Sequence, residues 1–238
     1  MSFLIEFFNV FFYQPLFNFL IVIYKYISFG DFGIAVIILT ILVKFILYPL
    51  NVKAIKSQKV FSELQPKIKE IQNKYKDDKE KQAKELMEVY KGAKVSPFAG
   101  FSSMLIQLPV LIALYQLFWQ GLNPEQMRFL YSFVSFEGAI NPDFLSILNL
   151  SKSNIYLAAS AGILQYLEVK TMGPKSKSSL KSQSDFAKIL QTQMQYFFPF
   201  FTVIILLNMP SAIALYFLTS SVFSIIQQYF VLKKEKTA

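Results

Sequence analysis

A single lysine, Lys44, lies within the apolar run ILVKFILYPL at residues 41–50. It is the one charged residue of residues 32–50, a stretch long enough to cross a bilayer. A cation at bilayer depth costs roughly 2.5–3.5 kcal/mol on insertion scales and roughly 10–17 kcal/mol on an isolated helix. Lys44 therefore predicts a functional site whose chemistry is electrostatic, namely the solvation or pairing of a buried ammonium group.

Neutral polar residues are available to surround this ammonium group. Thr40 and Tyr48 are each four residues away, on the same face of a helix, and other spans supply Gln107, Gln165, Ser220, Ser221 and Ser224. The predicted spans contain no Asp or Glu, so Lys44 is expected to be solvated by water and these groups, or to bind an acidic group of another molecule. We predict a water-filled groove open to the cytoplasm. The alternatives are ordinary interhelical hydrogen bonds and a lysine that extends to the headgroups.

Several kinds of chemistry are excluded by composition. The chain has no Cys and no His, which removes disulfides, thiol nucleophiles, the usual metal ligand and the usual general base. The net charge is +9, but the positions of the lysines, described below, argue for membrane topology rather than for nucleic-acid binding. Without Cys or His, we therefore expect no metal site.

Long uncharged stretches predict an all-α polytopic membrane protein with five transmembrane helices. Hydrophobic residues make up 54% of the chain, and residues 95–124 and 189–232 contain no charge. A span needs about 20 apolar residues, so the second stretch suits two spans. The predicted spans are residues 32–50, 98–119, 155–167, 193–207 and 212–231. The third contains LAASAGIL, whose small residues allow helices to approach closely.

The remaining segments are predicted as follows. Residues 1–30 are expected to form an interfacial helix, interrupted at Pro15, with a sixth span as the alternative. Residues 31–232 form the core, which includes a cytoplasmic helical hairpin at 51–95 and a cytoplasmic loop at 168–188. Within the hairpin, Pro66 suits a helix start, the helices are expected near 66–75 and 79–91, and a basic tail covers 233–238.

The lysines predict the orientation. Residues 51–94 carry 12 lysines, residues 168–188 carry 5, and the residues after Leu232 carry 3 of the 24 basic residues. With five spans these segments fall on one side, which the positive-inside rule makes cytoplasmic. The N-terminus is then outside and the C-terminus inside.

Three long segments resemble the YidC/Oxa family of membrane protein insertases. They are ILTILVKFILYPLNVKAIKSQKVFSELQPKIKEIQNKYKDDKEK (residues 38–81), PFAGFSSMLIQLPVLIALYQLF (97–118) and ALYFLTSSVFSIIQQYF (214–230). The resemblance covers roughly residues 30–232. It implies a non-enzymatic insertase of the bacterial inner membrane that moves short hydrophilic segments through a groove and releases apolar segments into lipid, without ATP or a cofactor.

The resemblance also implies roles for particular residues and partners. Lys44 takes the place of a basic residue that is usually Arg, Thr40 and Gln165 match groove positions, and Tyr216 and Phe217 match an aromatic pair of the last span. The expected partners are nascent membrane proteins and the lipid bilayer, with the Sec translocon, the signal recognition particle or its receptor, and the ribosome as further candidates. A small-solute channel or carrier lined by Lys44 and the glutamines is the alternative function, and a purely structural membrane subunit is a third.

Overall fold

The computed structural model describes residues 2–96, 102–120, 124–136, 138–172 and 196–236. Most of these residues are helical, which confirms the prediction of a mostly helical protein. The helices are α1 (Ser2–Phe8), α2 (Gln14–Tyr26), α3 (Phe32–Ile46), α4 (Tyr48–Lys74), α5 (Lys79–Gly92), α6 (Ser102–Gln120), α7 (Ile155–Met172), α8 (Phe198–Leu206) and α9 (Ser211–Lys236). The other elements are a π-helical turn (Asn9–Tyr13), a 3₁₀ helix (Pro124–Phe129) and an antiparallel strand pair, β1 (Asp143–Phe144) and β2 (Leu148–Asn149).

The N-terminal helix passes Pro15 without a break. α1, the π-helical turn and α2 follow one another directly, with Pro15 in the first turn of α2. In the π-helical turn the N–H of Gln14 donates to the carbonyl of Asn9, five residues earlier. This wider turn absorbs the proline ring and its missing donor. The prediction that Pro15 interrupts the segment is therefore wrong.

α2 packs into the core of the helix bundle. Phe17, Leu20 and Ile21 are fully buried, and α2 contacts both α3 and α6. By length and composition, Phe3–Tyr26 is able to cross a membrane. This segment is therefore long and apolar enough to be the sixth span that the sequence allows. The placement of residues 1–30 as an interfacial helix stays a prediction.

α3 begins where it does because Asp31 caps it. One carboxylate oxygen of Asp31 accepts a hydrogen bond from the N–H of Ile34 at 2.8 Å. The other accepts from the N–H of Leu145, in the turn between β1 and β2, at 2.6 Å. A single carboxylate therefore satisfies a free N–H of the first helical turn and attaches the strand pair to the start of α3.

Replacing Asp31 with alanine is expected to lower the free energy of unfolding by about 1–2 kcal/mol, because loss of an N-cap costs that much. Asp31→Asn should fall between alanine and the unchanged protein, since one of its two side-chain acceptors becomes a donor. Thermal unfolding in detergent micelles measures both effects, with the exposed Asp77→Ala as the control. If Asp31→Asn unfolds at the unchanged temperature, the bond to Leu145 does not contribute to stability.

A bend of 66° separates α3 from α4. α3 ends at Ile46, and Pro49 lies in the first turn of α4. Pro49 has no N–H to donate to a carbonyl of the preceding turn, so α3 cannot continue straight through it. The prediction that one helix fills residues 32–50 is therefore wrong at its C-terminal end.

α4 and α5 form a charged pair of helices joined by a short turn. α5 matches the predicted 79–91 closely, but α4 already begins at Tyr48 and contains Pro66 in its interior. The prediction that Pro66 starts a helix is wrong. The cytoplasmic location of the predicted hairpin at 51–95 stays a prediction.

Polar and aromatic contacts hold α4 against α5. The side-chain amide of Gln82 donates to the carbonyls of Gln72 at 3.0 Å and Tyr75 at 3.3 Å. The rings of Phe61 and Tyr90 stack with their centroids 6.0 Å apart, and burial raises the pKa of the Tyr90 phenol. These contacts connect the two helices at their turn and again further along their length.

α9 is the central helix of the bundle. It contacts α3, α4, α6, α7 and α8, and α7 also contacts α8. α9 extends to Lys236, so the prediction that residues 233–238 form a separate tail is wrong for residues 233–236. The described residues do not include residues 237–238, most of the predicted loop 168–188, or the starts of the predicted spans 98–119 and 193–207.

Within the described parts of the chain, two helical segments are long and apolar enough to cross a membrane. These are Phe3–Tyr26 and Ser211–Lys233, and the bent pair α3–α4 makes a third if it is counted as one span. The shorter Leu105–Trp119 is also an apolar helix. Membrane-capable helices are thus present, and the total of five spans stays a prediction.

Candidate functional site

Lys44 is buried inside the helix bundle. Its side chain lies in the last turn of α3 and is 6% exposed. The Nζ atom donates a hydrogen bond to Oγ of Ser224 on α9, at 3.0 Å. The ammonium group therefore points toward another helix of the protein, which does not match the alternative in which it extends to the headgroups.

A carboxylate acts on this ammonium group from the same chain. Glu168 and Lys44 interact electrostatically, and Ser221 and Ser224 lie close to the Glu168 side chain. The expectation that Lys44 has no acidic partner of its own is wrong. α7 continues to Met172, so residues 168–172 belong to a helix of the bundle and not to the predicted loop 168–188.

One face of α9 carries a row of buried polar side chains. They repeat at intervals of three and four residues, so they lie on one side of the helix. The members are Ser220, Ser221, Ser224, Gln227 and Gln228, each at most 8% exposed. We call this row the polar face of α9.

Besides the bond between Lys44 and Ser224, two further hydrogen bonds connect the polar face of α9 to neighbouring helices. The side-chain amide of Gln227 donates to the backbone carbonyl of Tyr48 at 3.3 Å, directly after the bend between α3 and α4. The hydroxyl of Thr171 on α7 donates to the side-chain oxygen of Gln228. The polar face of α9 therefore lies between α7 on one side and the α3–α4 bend on the other.

The structure places two residues that were predicted next to Lys44 differently from the prediction. The hydroxyl of Thr40 is buried and donates to the carbonyl of Val36 at 2.6 Å, one turn earlier in α3. Tyr48 begins α4 beyond the bend and is 37% exposed. The prediction that Tyr48 shares a helix with Lys44 is wrong, because the helix ends between them.

Gln107 and Gln165 each contain a buried polar atom that has no partner among the described residues. The atoms are Nε2 of Gln107 on α6 and Oε1 of Gln165 on α7. Buried polar groups normally have a hydrogen-bond partner in protein or ordered water. Unsatisfied atoms on two different helices therefore favour an interior in which water or a polar guest is accommodated.

The predicted aromatic pair lies at the same end of the polar face as Ser220. Tyr216 is 1% exposed, and its ring is 5.6 Å from that of Phe217, centroid to centroid. The Tyr216 hydroxyl is near Ser220, but the contact falls short of full hydrogen-bond geometry. Glu168 also acts electrostatically on Tyr216. The carboxylate is thus a neighbour of both the lysine and the tyrosine.

Sequence reasoning missed Glu168, Thr171, Gln227 and Gln228. A usable signal exists for all four. Gln165, Glu168 and Thr171 are spaced three residues apart, and the serines and glutamines of SSVFSIIQQ repeat at helical intervals. Both patterns place polar residues on one side of a helix.

Among the described residues, no group of three or more His, Cys, Asp or Glu side chains is arranged to hold a metal ion. The chemistry that the site offers is that of a buried ammonium group, one carboxylate, hydroxyls and amides. Such groups bind and orient polar or charged guests through hydrogen bonds.

Comparison with known proteins gives consistent matches over most of the chain. The family model described as 60Kd inner membrane protein matches residues 22–238. A protein named Membrane protein insertase YidC from Fusobacterium nucleatum subsp. nucleatum is 36% identical over 210 residues, which cover 88% of this chain and 89% of that protein.

Two relatives with the same name are much longer than this chain. Those from Nitratidesulfovibrio vulgaris and Wigglesworthia glossinidia brevipalpis are 32% identical over 223 residues and 34% identical over 225 residues. The matches cover 93% and 94% of this chain but only 38% and 37% of the relatives. The chain thus spans little more than a third of the length of these two proteins.

Proposed function

This chain belongs to the 60Kd inner membrane protein family, and from that premise we propose that it is a membrane protein insertase of the bacterial inner membrane. Its substrates are nascent membrane proteins, whose apolar segments it releases into lipid. Insertion makes and breaks no covalent bond, so the function needs neither a catalytic residue nor a cofactor. The similarity to a relative of nearly equal length supports this proposal most directly.

The observation that carries the mechanism is the bond between Lys44 and Ser224 within the polar face of α9. A hydrophilic tail that crosses a bilayer must give up its water, and each unsatisfied polar group costs several kcal/mol in hydrocarbon. A hydrated groove along the polar face lets the tail keep hydrogen bonds over part of that distance. The unsatisfied atoms of Gln107 and Gln165 support such a groove.

Lys44 supplies the electrostatic part of this mechanism. Its ammonium group is the single basic group of residues 32–50, and we infer that it pairs transiently with an acidic residue of the passing tail. Charge-assisted hydrogen bonds are roughly twice as strong as neutral ones. The pairing therefore favours acidic tails over neutral tails of the same length.

The lysine-rich segments support a cytoplasmic position for residues 51–94 and for the C-terminus, by the positive-inside rule. With five spans the N-terminus is outside. If Phe3–Tyr26 also crosses the membrane, the N-terminus moves inside and the other segments keep their sides. The groove opens to the cytoplasm in either arrangement.

The α4–α5 pair is suited to receive targeted nascent chains. It is charged and is connected internally by the Gln82 bonds and the stacking of Phe61 on Tyr90. Its chain connection to α3 lies next to the groove. We propose that it contacts the signal recognition particle or its receptor, the ribosome or the Sec translocon, and that it delivers the nascent chain to the groove.

A reconstitution experiment tests the proposed function. The full chain is placed in proteoliposomes, and a single-span protein with a short acidic N-terminal tail is synthesised in their presence. Protease protection of the tail measures insertion, which is expected to exceed that of liposomes without the protein. Insertion no better than that of empty liposomes would contradict the proposal. Flux of small solutes into sealed vesicles, without any effect on insertion, would favour the channel or carrier function.

A further inference from the structure

Glu168 reaches Lys44 from within the helix bundle. It lies four residues before the end of α7 at Met172, and α7 packs along α9. Its carboxylate lies close to Ser221 and Ser224 on the polar face of α9, one turn before Thr171, which donates to Gln228 of the same face. The carboxylate and the ammonium group are thus brought to the same stretch of α9 by two different helices.

Ser224 connects the two charges. Its Oγ accepts a hydrogen bond from Lys44 at 3.0 Å, and it also lies close to Glu168. A hydroxyl has one donor and two acceptor positions. The hydroxyl that accepts from the ammonium group therefore keeps a proton that it can donate to the carboxylate, and an ammonium group and a carboxylate together carry no net charge.

This arrangement leaves Lys44 able to bind a second acidic group. An ammonium group has three N–H donors, and in the described parts of the chain one of them is used, by Ser224. A carboxylate of a nascent chain offers Lys44 the same chemistry that Glu168 offers. When both are present they share one cation, so each weakens the attraction of the other.

We propose that Glu168 is an internal competitor for the acidic residues of the nascent chain and thereby determines how strongly Lys44 discriminates between acidic and neutral tails. This inference rests on the proposed insertase function. When no guest is bound, the negative charge of Glu168 compensates the positive charge of Lys44. When an acidic tail is bound, Glu168 lowers the affinity of Lys44 for that tail, so that the tail is released. Without Glu168 the ammonium group lacks its partner and holds acidic tails longer.

A cross-linking experiment tests whether Glu168 determines the preference of Lys44 for acidic tails. Tyr48 is 37% exposed, and its carbonyl accepts a hydrogen bond from Gln227 of the polar face of α9, so position 48 receives the photoreactive residue benzoylphenylalanine in every variant. Two single-span test proteins differ only in their tails, which contain two aspartates or two asparagines. Each is presented as a ribosome-bound nascent chain to proteoliposomes with the full-length protein, and the ratio of aspartate-tail to asparagine-tail cross-linking is measured.

Glu168→Gln is expected to raise this ratio by roughly fivefold, the lower end of the range for coupled binding sites in proteins. Glu168→Asp keeps the charge and should leave the ratio near that of the unchanged protein. Glu6→Gln makes the same change of charge at an exposed position of α1 and should leave the ratio unchanged. Adding Lys44→Gln to Glu168→Gln should abolish the increase.

Ser224→Ala provides an independent test if Glu168→Gln does not fold. It removes the hydroxyl that connects the two charges and should also raise the ratio. An unchanged ratio in Ser224→Ala and in every folded Glu168→Gln sample, with both tails still cross-linked, would overturn the inference and leave the insertase function standing. Absence of both cross-linking and insertion in the unchanged protein would overturn the insertase function itself, and this inference with it.

Discussion

Replacing Lys44 with glutamate is expected to reduce the insertion of a single-span protein with an acidic tail by at least about tenfold. Removing one partner of a buried charge pair costs about 2–5 kcal/mol, and about 1.4 kcal/mol already corresponds to a factor of ten. Lys44→Glu also places a second carboxylate near Glu168 and repels the tail. Lys44→Arg keeps the positive charge and should preserve insertion.

Proteoliposome insertion, measured by protease protection of the tail, checks this result. A neutral-tailed protein of the same length is the matched substrate, and its insertion should depend much less on Lys44. Equal insertion of the acidic-tailed protein by the unchanged chain, Lys44→Arg and Lys44→Glu would remove charge pairing from the mechanism.

The exchange Lys44→Glu with Glu168→Lys distinguishes a folding defect from a functional one. It retains one cation and one anion in the bundle, so it should unfold nearer to the unchanged protein than Lys44→Glu alone does. Insertion should stay low, because the cation has moved from α3 to α7. Full recovery of insertion would mean that the position of the ammonium group does not matter.

Replacing Gly162 with alanine is expected to lower the free energy of unfolding by about 1–3 kcal/mol, as overpacking of a tight interface does. A Cβ atom at Gly162 on α7 would lie 2.2 Å from a methyl carbon of Val203 on α8, and 3.3 Å from the carbonyl oxygen of Pro199. Valine is restricted at χ1, so the helices must separate. Gly162→Leu should have a larger effect.

Thermal unfolding in detergent micelles tests this prediction, and Val203→Ala supplies the decisive comparison. The double variant Gly162→Ala/Val203→Ala removes the clashing methyl group and should recover much of the lost stability. Gly92→Ala is the control, because a Cβ at that position meets no atom within 4 Å. A double variant less stable than both single variants would show that the clash with Val203 is not the cause.

Helical pattern and composition predict much of this protein because they act locally. The uncharged stretches locate α6 and α9, and the apolar repeat locates α5 to within a residue or two. Lys44 is recognised from its sequence context alone, since an isolated cation in an apolar run always needs an explanation. The resemblance to a family adds the function, which the fold by itself does not specify.

Features that depend on contacts between distant segments could not be predicted in this way. Glu168 looks like the border of a loop in the sequence, but packing of α7 on α9 extends the helix past it to Met172. Pro15 and Pro66 look like helix boundaries, but neither ends its helix. Pro49 lies in the first turn of α4, directly after the 66° bend, which is a position that proline favours in helices.

The compensated charges of Lys44 and Glu168 also bear on how the transmembrane voltage acts on this protein. A bacterial inner membrane is negative inside, and moving one elementary charge across it changes the energy by about 2.3 kcal/mol per 100 mV. An empty site that carries balanced charges feels almost no net pull from this field. Once an acidic residue joins the site the balance becomes negative, and the field then drives that residue outward.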